Sequence, residues 1–112
     1  MSGLPIWYEL MAPDPAALAP FYRAVLGWEI PPSGAAMPNG VEYRTIARAD
    51  GGEAGGILTL SPQMRDGGAR AGWVIYFHSD DVDAAIAATR AVGGQVLLDQ
   101  AMPGVGRMAM LT

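Results

Sequence analysis

The stretch "WYELMAPDPAALAPFYRAVLGWEI", residues 7–30, decides the fold. It reads as an apolar strand, a proline-rich corner, a helix and a second extended piece. Successive strand side chains alternate, so Trp7, Glu9 and Met11 share one face while Tyr8 and Leu10 share the other. Asp14 is a good N-cap, and Pro15 suits the first helical turn, where its missing N–H costs nothing. Leu18, Phe21, Tyr22 and Val25 recur at helical spacing, and Gly27 supplies a left-handed exit. Pro20 removes an interior hydrogen bond and is expected to bend the helix. One face of the strand therefore meets this helix, and the other is free to build a site.

Working outward, a shift of 67 residues lays "DPAALAPFYRAVLGW" on "DVDAAIAATRAVGGQ". Asp14, Ala17, Arg23, Ala24, Val25 and Gly27 then match Asp81, Ala84, Arg90, Ala91, Val92 and Gly94. Two copies of one unit are implied. In the second, Asp80, Asp81 and Asp83 crowd the positive end of the helix and read as capping residues in preference to a metal cluster. Ile86 and Val92 give a thinner apolar stripe, and Gly93 with Gly94 closes the helix. Between the helices, "GVEYRTIARADGGEAGGILTLSP" reads as a hairpin: a strand over 41–48, a glycine-rich turn over 50–56 and a strand over 57–60.

Copy one is thus strand, helix, short strand and hairpin, a βαβββ unit. Copy two repeats a strand over 73–78, a helix, a short strand over 95–98 and a strand over 107–111, and stops one strand short. The expected organisation is one domain over 1–112, with a first module over 4–61, a linker over 62–71 and an incomplete second module over 72–112.

Composition narrows the chemistry. The chain has 112 residues, 51% of them hydrophobic and 16% charged, which suits a folded globule of one domain. Its seven basic residues are all arginine, scattered among eleven acids for a net charge of -4. Such a surface repels phosphate backbones, so nucleic acid is not an expected partner. No apolar run is long enough to span a membrane, and "MSGLPIWYEL" lacks the regions of a signal peptide, so a soluble cytoplasmic protein with no membrane partner is expected. The absence of cysteine excludes disulfides, thiolate nucleophiles and cysteine-bound zinc. The one histidine, His78, lies in "FHSDD". Neighbouring strand residues point to opposite faces, so this run is not a catalytic triad. Two readings of His78 stay open, a solvated or capping histidine beside Asp80 and a site residue.

The layout, with "DPAALAPFYRAVLGWEI", "DDVDAAIAATRAVGGQVL" and "MPGVGRMAML", resembles the vicinal oxygen chelate superfamily over nearly the whole chain. This is the group of glyoxalases, bleomycin-resistance proteins and extradiol dioxygenases. The resemblance implies an α+β fold of two βαβββ modules forming a curved mixed sheet with a central cup, the second module lacking its last strand. On that fold Tyr8 and Leu10 pack on a helix, as do Trp73, Ile75 and Phe77 in the second copy. Trp7, Glu9, Met11, Val74, Tyr76 and His78 line the cup. The ligand positions of metal-dependent relatives fall on Trp7, Val74 and Thr59, with the fourth past Thr112. None of these three residues is a divalent-metal ligand, so no metal and no cofactor are expected.

Glu9 keeps three readings. It is a carboxylate hydrogen-bonded to a cup tyrosine or paired with Arg44; a general base whose pKa is raised by Trp7 and Met11; or a metal ligand in a shifted register. Trp7, Met11 and Tyr76, with Met64 and Met108, offer soft apolar walls and a few polar handles, the usual makeup of a small-molecule pocket. The expected ligand-binding set is Trp7, Glu9, Met11, Arg44, Thr59, Tyr76 and His78, with Glu9 as the catalytic candidate. Met64 lies in the connector "SPQMRDGGARAG", which reads as a lid or as a linker.

Three functions fit this set. The first is a metal-independent small-molecule binding protein of the glyoxalase and bleomycin-resistance type. The second is a lyase, isomerase or dioxygenase-like enzyme that uses Glu9 as acid, base or metal ligand, with Tyr76 or Arg44 polarising the substrate. The third is a dimeric interaction module without catalysis. A homodimer formed through an exposed sheet edge is expected under all three.

Overall fold

A computed structural model describes residues 2–37, 40–102 and 106–112 of the chain, and positions 103–105 of the "MPGVGRMAML" stretch lie outside the described residues. The elements are β1 (Pro5–Ala12), α1 (Pro15–Leu26), β2 (Ala35–Ala36), β3 (Glu42–Ala47), β4 (Glu53–Thr59), α2 (Pro62–Asp66), β5 (Gly72–Phe77), α3 (Val82–Ala91), β6 (Val96–Met102) and β7 (Gly106–Leu111). The fold is α+β, with a five-stranded sheet in the order β2-β3-β4-β1-β5 and a two-stranded sheet of β6 and β7. The larger sheet is mixed: β1 runs parallel to β4, and β3 antiparallel to it. The chain divides into two compact units, Pro5–Tyr76 and Met1–Leu4 with Phe77–Thr112.

In the larger unit the helix signals act as expected. The Asp14 carboxylate accepts from the Ala17 N–H, Pro15 opens α1, and Gly27 closes it at φ 69°. Pro20 sits inside α1 without ending it. Leu10 and Ala12 of β1, Ile46 of β3 and Ile57 of β4 form the buried core, against which Leu18, Tyr22, Trp28 and Ile30 pack. Tyr22 stacks on Trp28 with ring centroids 5.6 Å apart and accepts a hydrogen bond of 3.2 Å from Trp73 Nε1.

Three sequence expectations are corrected here. Trp73 meets α1, the helix of the first copy. Tyr8, Ile75 and Phe77 are 44%, 48% and 59% exposed, more than side chains packed beneath a helix. The twelve residues of α1 span only about 18 Å and reach the sheet at Leu10 and Ala12, while α3 packs on β6 and β7. The turn of the hairpin is also shorter than its glycines suggest, because Gly55 and Gly56 belong to β4. Arg48 N–H donates to Gly52 O, the Asp50 carboxylate accepts from Gly52 N–H, and Gly51 takes φ 87°, so the reversal is complete by Gly52. The connector holds a short helix of its own, α2, capped by Ser61, whose Oγ accepts from Met64 N–H.

In the smaller unit Asp81 caps α3, accepting from Ala84 N–H at 3.0 Å. Ile86 is buried, whereas Val92 stands at the C-cap, 85% exposed and outside the expected stripe. Strand β6 extends to Met102, past the expected 95–98, because β7 pairs with it as far as Gly106. Arg107 bridges Asp83 of α3 and Asp99 of β6, at 2.6 and 2.8 Å, and so ties the helix to the hairpin. Asp80 accepts from Ser2 Oγ. The three aspartates at the head of α3 thus have separate partners. Among the described residues no helix is long and apolar enough to cross a membrane.

Ile57 is fully buried. Ile57→Ala is therefore expected to lower stability by about 2–5 kcal/mol. Val92→Ala is expected to change it by less than about 0.5 kcal/mol. Urea unfolding followed by tryptophan fluorescence checks both, and equal losses would contradict the core assigned here.

Candidate functional site

The face of the larger sheet opposite α1 is built by the odd residues of β1. Cross-strand register sets Glu9 beside Gly56 of β4 and Met11 beside Leu58, while Tyr43 and Thr45 of β3 lie across from Leu58 and Gly56. Glu9, a carboxylate, is only 7% exposed on this face. A buried carboxylate needs hydrogen bonds or a counter-charge, and among the described residues Glu9 has a hydrogen bond and no ion pair. Tyr76 Oη donates to Glu9 Oε2 at 3.0 Å. The Tyr43 hydroxyl lies near the same carboxyl and acts to lower its pKa, and Trp7 Nε1 donates to Tyr43 Oη at 2.7 Å. The result is a cluster of one carboxyl, two phenols and an indole, in which Tyr76 holds Glu9 and Trp7 holds Tyr43.

Glycine makes this packing possible. A Cβ at Gly56 would collide with the phenol of Tyr43, so the bare position next to Glu9 is the space into which that ring folds. Gly55 is similarly confined, because a Cβ there would strike the backbone carbonyl of Tyr8.

Burial decides the electrostatics. Desolvation pushes the Glu9 pKa above its ordinary value of 4.5, against the smaller opposing effect of the two phenol hydrogen bonds. Burial also raises both tyrosines, Tyr43 to about 12, and the adjacent Glu9 charge adds to the rise. The phenols therefore stay neutral hydrogen-bond donors at any physiological pH. No basic group contributes to the Glu9 shift. Chemically, the cluster is a proton-exchanging carboxyl of raised basicity flanked by two O–H donors, the arrangement that suits acid–base work beside a polarised oxygen.

The structure brings together Trp7, Glu9 and Tyr76 of the expected set, with Met11 on the same face. It places two others elsewhere. Arg44 and Thr59 lie on the α1 side, in register with Ile57 and Ala12. There Arg44 Nε donates to Glu42 Oε1 at 2.7 Å and Nη1 to Pro31 O, while Thr59 Oγ1 donates to the same Glu42 oxygen. Arg44 is thus the partner of Glu42 and not of Glu9. His78 belongs to the smaller unit, where its Nδ1 lies 3.6 Å from Asp80 Oδ1. Met64 is half-buried on α2 and Met108 half-buried on β7, in different units.

Tyr43 is the member that sequence reading missed. Its signal was the strand parity of β3, which sets Tyr43 opposite in phase to Arg44, together with two consecutive glycines in the facing strand.

The donor set does not fit the divalent metal implied by metal-dependent members of the superfamily. Around Glu9 it offers one carboxylate, two phenols held protonated by burial, and an indole, which has no lone pair to give. Among the described residues no three His, Cys, Asp or Glu side chains come together as a metal-holding group.

Comparison with known proteins agrees with the fold and places this surface in context. Residues 7–111 match the model of the glyoxalase-like domain family. A Mycobacterium tuberculosis protein named "Putative glyoxylase CFP32" is 38% identical over 112 residues, covering 99% of this chain and 40% of its own length. The anthracycline biosynthesis protein DnrV of Streptomyces peucetius is 30% identical over 119 residues, covering 96% of this chain and 42% of its own. The chain therefore spans about two fifths of the length of these curated relatives. A variant of Streptomyces coelicolor methylmalonyl-CoA epimerase, solved with 2-nitronate-propionyl-CoA, superposes with a TM-score of 0.60 at 27% identity, over 100% of this chain and 89% of its own.

A carboxyl whose pKa rises on folding holds its proton more tightly in the native state. Wild-type stability therefore falls as pH rises from about 4.5 through the raised native value. Glu9→Gln deletes that titration, so the stability of the variant minus that of the wild type is expected to increase across this window and then level off. Denaturant midpoints measured at half-unit pH steps check this, and a difference that is flat or falls with pH would contradict a desolvated Glu9.

Proposed function

As the chain belongs to the glyoxalase-like domain family, we propose that it binds a small carbonyl compound against the Trp7–Glu9–Tyr43–Tyr76 face and moves a proton there, as a metal-independent isomerase or lyase. The observation that carries this reading is the buried Glu9 carboxyl, held by the neutral phenol of Tyr76 and with no ion pair among the described residues. A carboxyl of raised pKa is a competent base toward a carbon acid next to a carbonyl, and its conjugate acid returns the proton. Tyr76 and Tyr43 supply O–H donors for the oxygen on which charge develops. Trp7 and Met11 give apolar contact area to the rest of the molecule.

The similar epimerase, whose solved complex holds a CoA thioester analogue, supports this choice of chemistry, because inverting a stereocentre calls for removal and return of a proton. The names of the curated relatives fit a small-molecule site without fixing a substrate. Passive sequestration of a ligand on the same face is the second reading, favoured by the satisfied hydrogen bonds of Glu9 in the free protein.

The test is solvent deuterium exchange at the α-carbon across a panel of small 2-oxo acids and acyl thioesters, followed by proton NMR. Wild-type protein is expected to catalyse exchange for at least one compound. Glu9→Gln is expected to lower that rate by about 100-fold or more while leaving ligand-induced thermal stabilisation in place. Tyr76→Phe is expected to retain binding with a smaller loss of rate. Binding without exchange would assign the face to sequestration, and exchange that survives Glu9→Gln would remove Glu9 from the chemistry.

A further inference from the structure

Two features outside the Glu9 cluster remain unexplained, and they coincide. The first is an open concavity of about 550 Å³ at the end of the larger sheet, lined by Pro13, Leu60, Pro62, Arg65, Asp66 and Arg70 among others. The second is the state of the arginines. Arg23, Arg44, Arg48 and Arg107 are each ion-paired, whereas Arg90, on α3, is not part of the concavity's lining. Arg65 and Arg70 have no ion pair among the described residues. In a chain with eleven acids and only seven basic residues, two unmatched arginines on one concavity depart from the pattern of the rest.

We propose that this concavity is an oxyanion subsite for a phosphate-type dianion, with Arg65 and Arg70 as its cationic clamp.

Local structure builds the clamp. Ser61 Oγ caps α2, and the chain then turns back at once, with Gly67 N–H donating to Gln63 O, Gly68 N–H to Arg65 O and Ala69 N–H to Met64 O. Gly68 takes φ 102°, a conformation that side-chain-bearing residues rarely adopt. This tight return brings Arg70 onto the same concavity as Arg65. Guanidinium groups suit phosphate because their fixed forks of N–H donors match its oxygens two at a time. Asp66 also lines the concavity and opposes the ligand, so the subsite carries a net single positive charge and is weak and salt-sensitive when occupied.

The position gives the subsite its use. Leu60 N–H donates to Ala12 O, so Pro13 and Leu60 continue directly from the paired ends of β1 and β4. Pro13 lies four residues beyond Glu9, about 13 Å along an extended chain. A ligand that places its carbonyl at Glu9 and carries a phosphate on a flexible arm of that length reaches both. The subsite itself rests on geometry separate from Glu9 and stands whether or not that residue moves a proton.

Calorimetric titration with inorganic pyrophosphate at low ionic strength tests it. Wild-type protein is expected to bind saturably, and Arg65→Gln/Arg70→Gln to bind at least tenfold more weakly. Asp66→Asn is expected to bind more tightly, which a merely damaged fold would not produce. Arg48→Gln, a charge loss elsewhere, and Glu9→Gln, a loss in the proposed proton-transfer site, are expected to leave the affinity unchanged. Amide chemical-shift mapping on the wild type is expected to show pyrophosphate-induced shifts confined to residues 60–71 and the neighbourhood of Pro13, a result independent of whether the double variant folds. The proposal is overturned by the absence of saturable binding, by unchanged affinity in the double variant, by equal weakening in Arg48→Gln or by shifts centred elsewhere. Tighter binding of succinate than of pyrophosphate would overturn the phosphate assignment.

Discussion

The desolvated carboxyl of Glu9 is the constraint around which the larger unit is arranged. A carboxylate taken out of water without a counter-charge loses solvation that hydrogen bonds restore only in part. The fold meets this cost with Tyr76 from one flanking strand and Tyr43 from beyond the other, and Trp7 in turn satisfies Tyr43. Three strands must hold their register for that network to close. A slip of one residue in β1 would turn Glu9 into the α1 core and expose Leu10, so the polar network and the apolar core specify the same pairing from opposite faces.

The partition of charge between the two faces follows from that arrangement. The strand neighbours of Glu9 carry no cation on its own face. The nearest candidate in sequence, Arg44, is turned to the other side, where Glu42, Thr59 and the Pro31 carbonyl take up its donors. Had Arg44 faced Glu9, the carboxyl would be held ionised and its pKa lowered, as that of Glu42 is. One residue of strand parity therefore separates a fixed ion pair from a carboxyl free to exchange its proton. A one-residue change of register at this sheet would exchange a desolvated carboxyl of raised pKa for an ion-paired one of lowered pKa.

Much of this was legible in the sequence, and the exceptions have physical causes. Asp14, Pro15 and Gly27 act through the local backbone, so α1 could be bounded without knowing its neighbours. The internal repeat set Glu9 against Tyr76, and the hydrogen bond between them spans the 67 residues of the repeat offset. Parity within β1 correctly separated Trp7, Glu9 and Met11 from Leu10. What was not legible depended on distant partners. Gly55 and Gly56 look like turn residues by composition, and only the close approach of Tyr8 and Tyr43 shows why a strand carries them. Tyr43 itself became visible only once β3 had a register. Exposure of Tyr8 and Ile75 depends on how far a twelve-residue helix reaches, a length that periodicity gives but a coverage that it does not.

The same reasoning bears on why the donors around Glu9 are ill matched to a metal centre. A divalent cation polarises a bound oxygen and needs its carboxylate ligands ionised at neutral pH. Glu9 is driven the other way, toward holding a proton, by the burial that a cation would otherwise offset. The neighbouring phenols, kept neutral by the same burial, can hydrogen-bond an oxyanion but make poor metal ligands. Polarisation by O–H donors and proton transfer by a carboxyl form one consistent solution, and metal coordination by ionised ligands forms another. Intermediate donor sets serve neither well, because each added carboxylate near Glu9 would raise its pKa further while a single carboxylate holds a metal weakly. On the proposed reading the residues on this face of the sheet belong to the first solution.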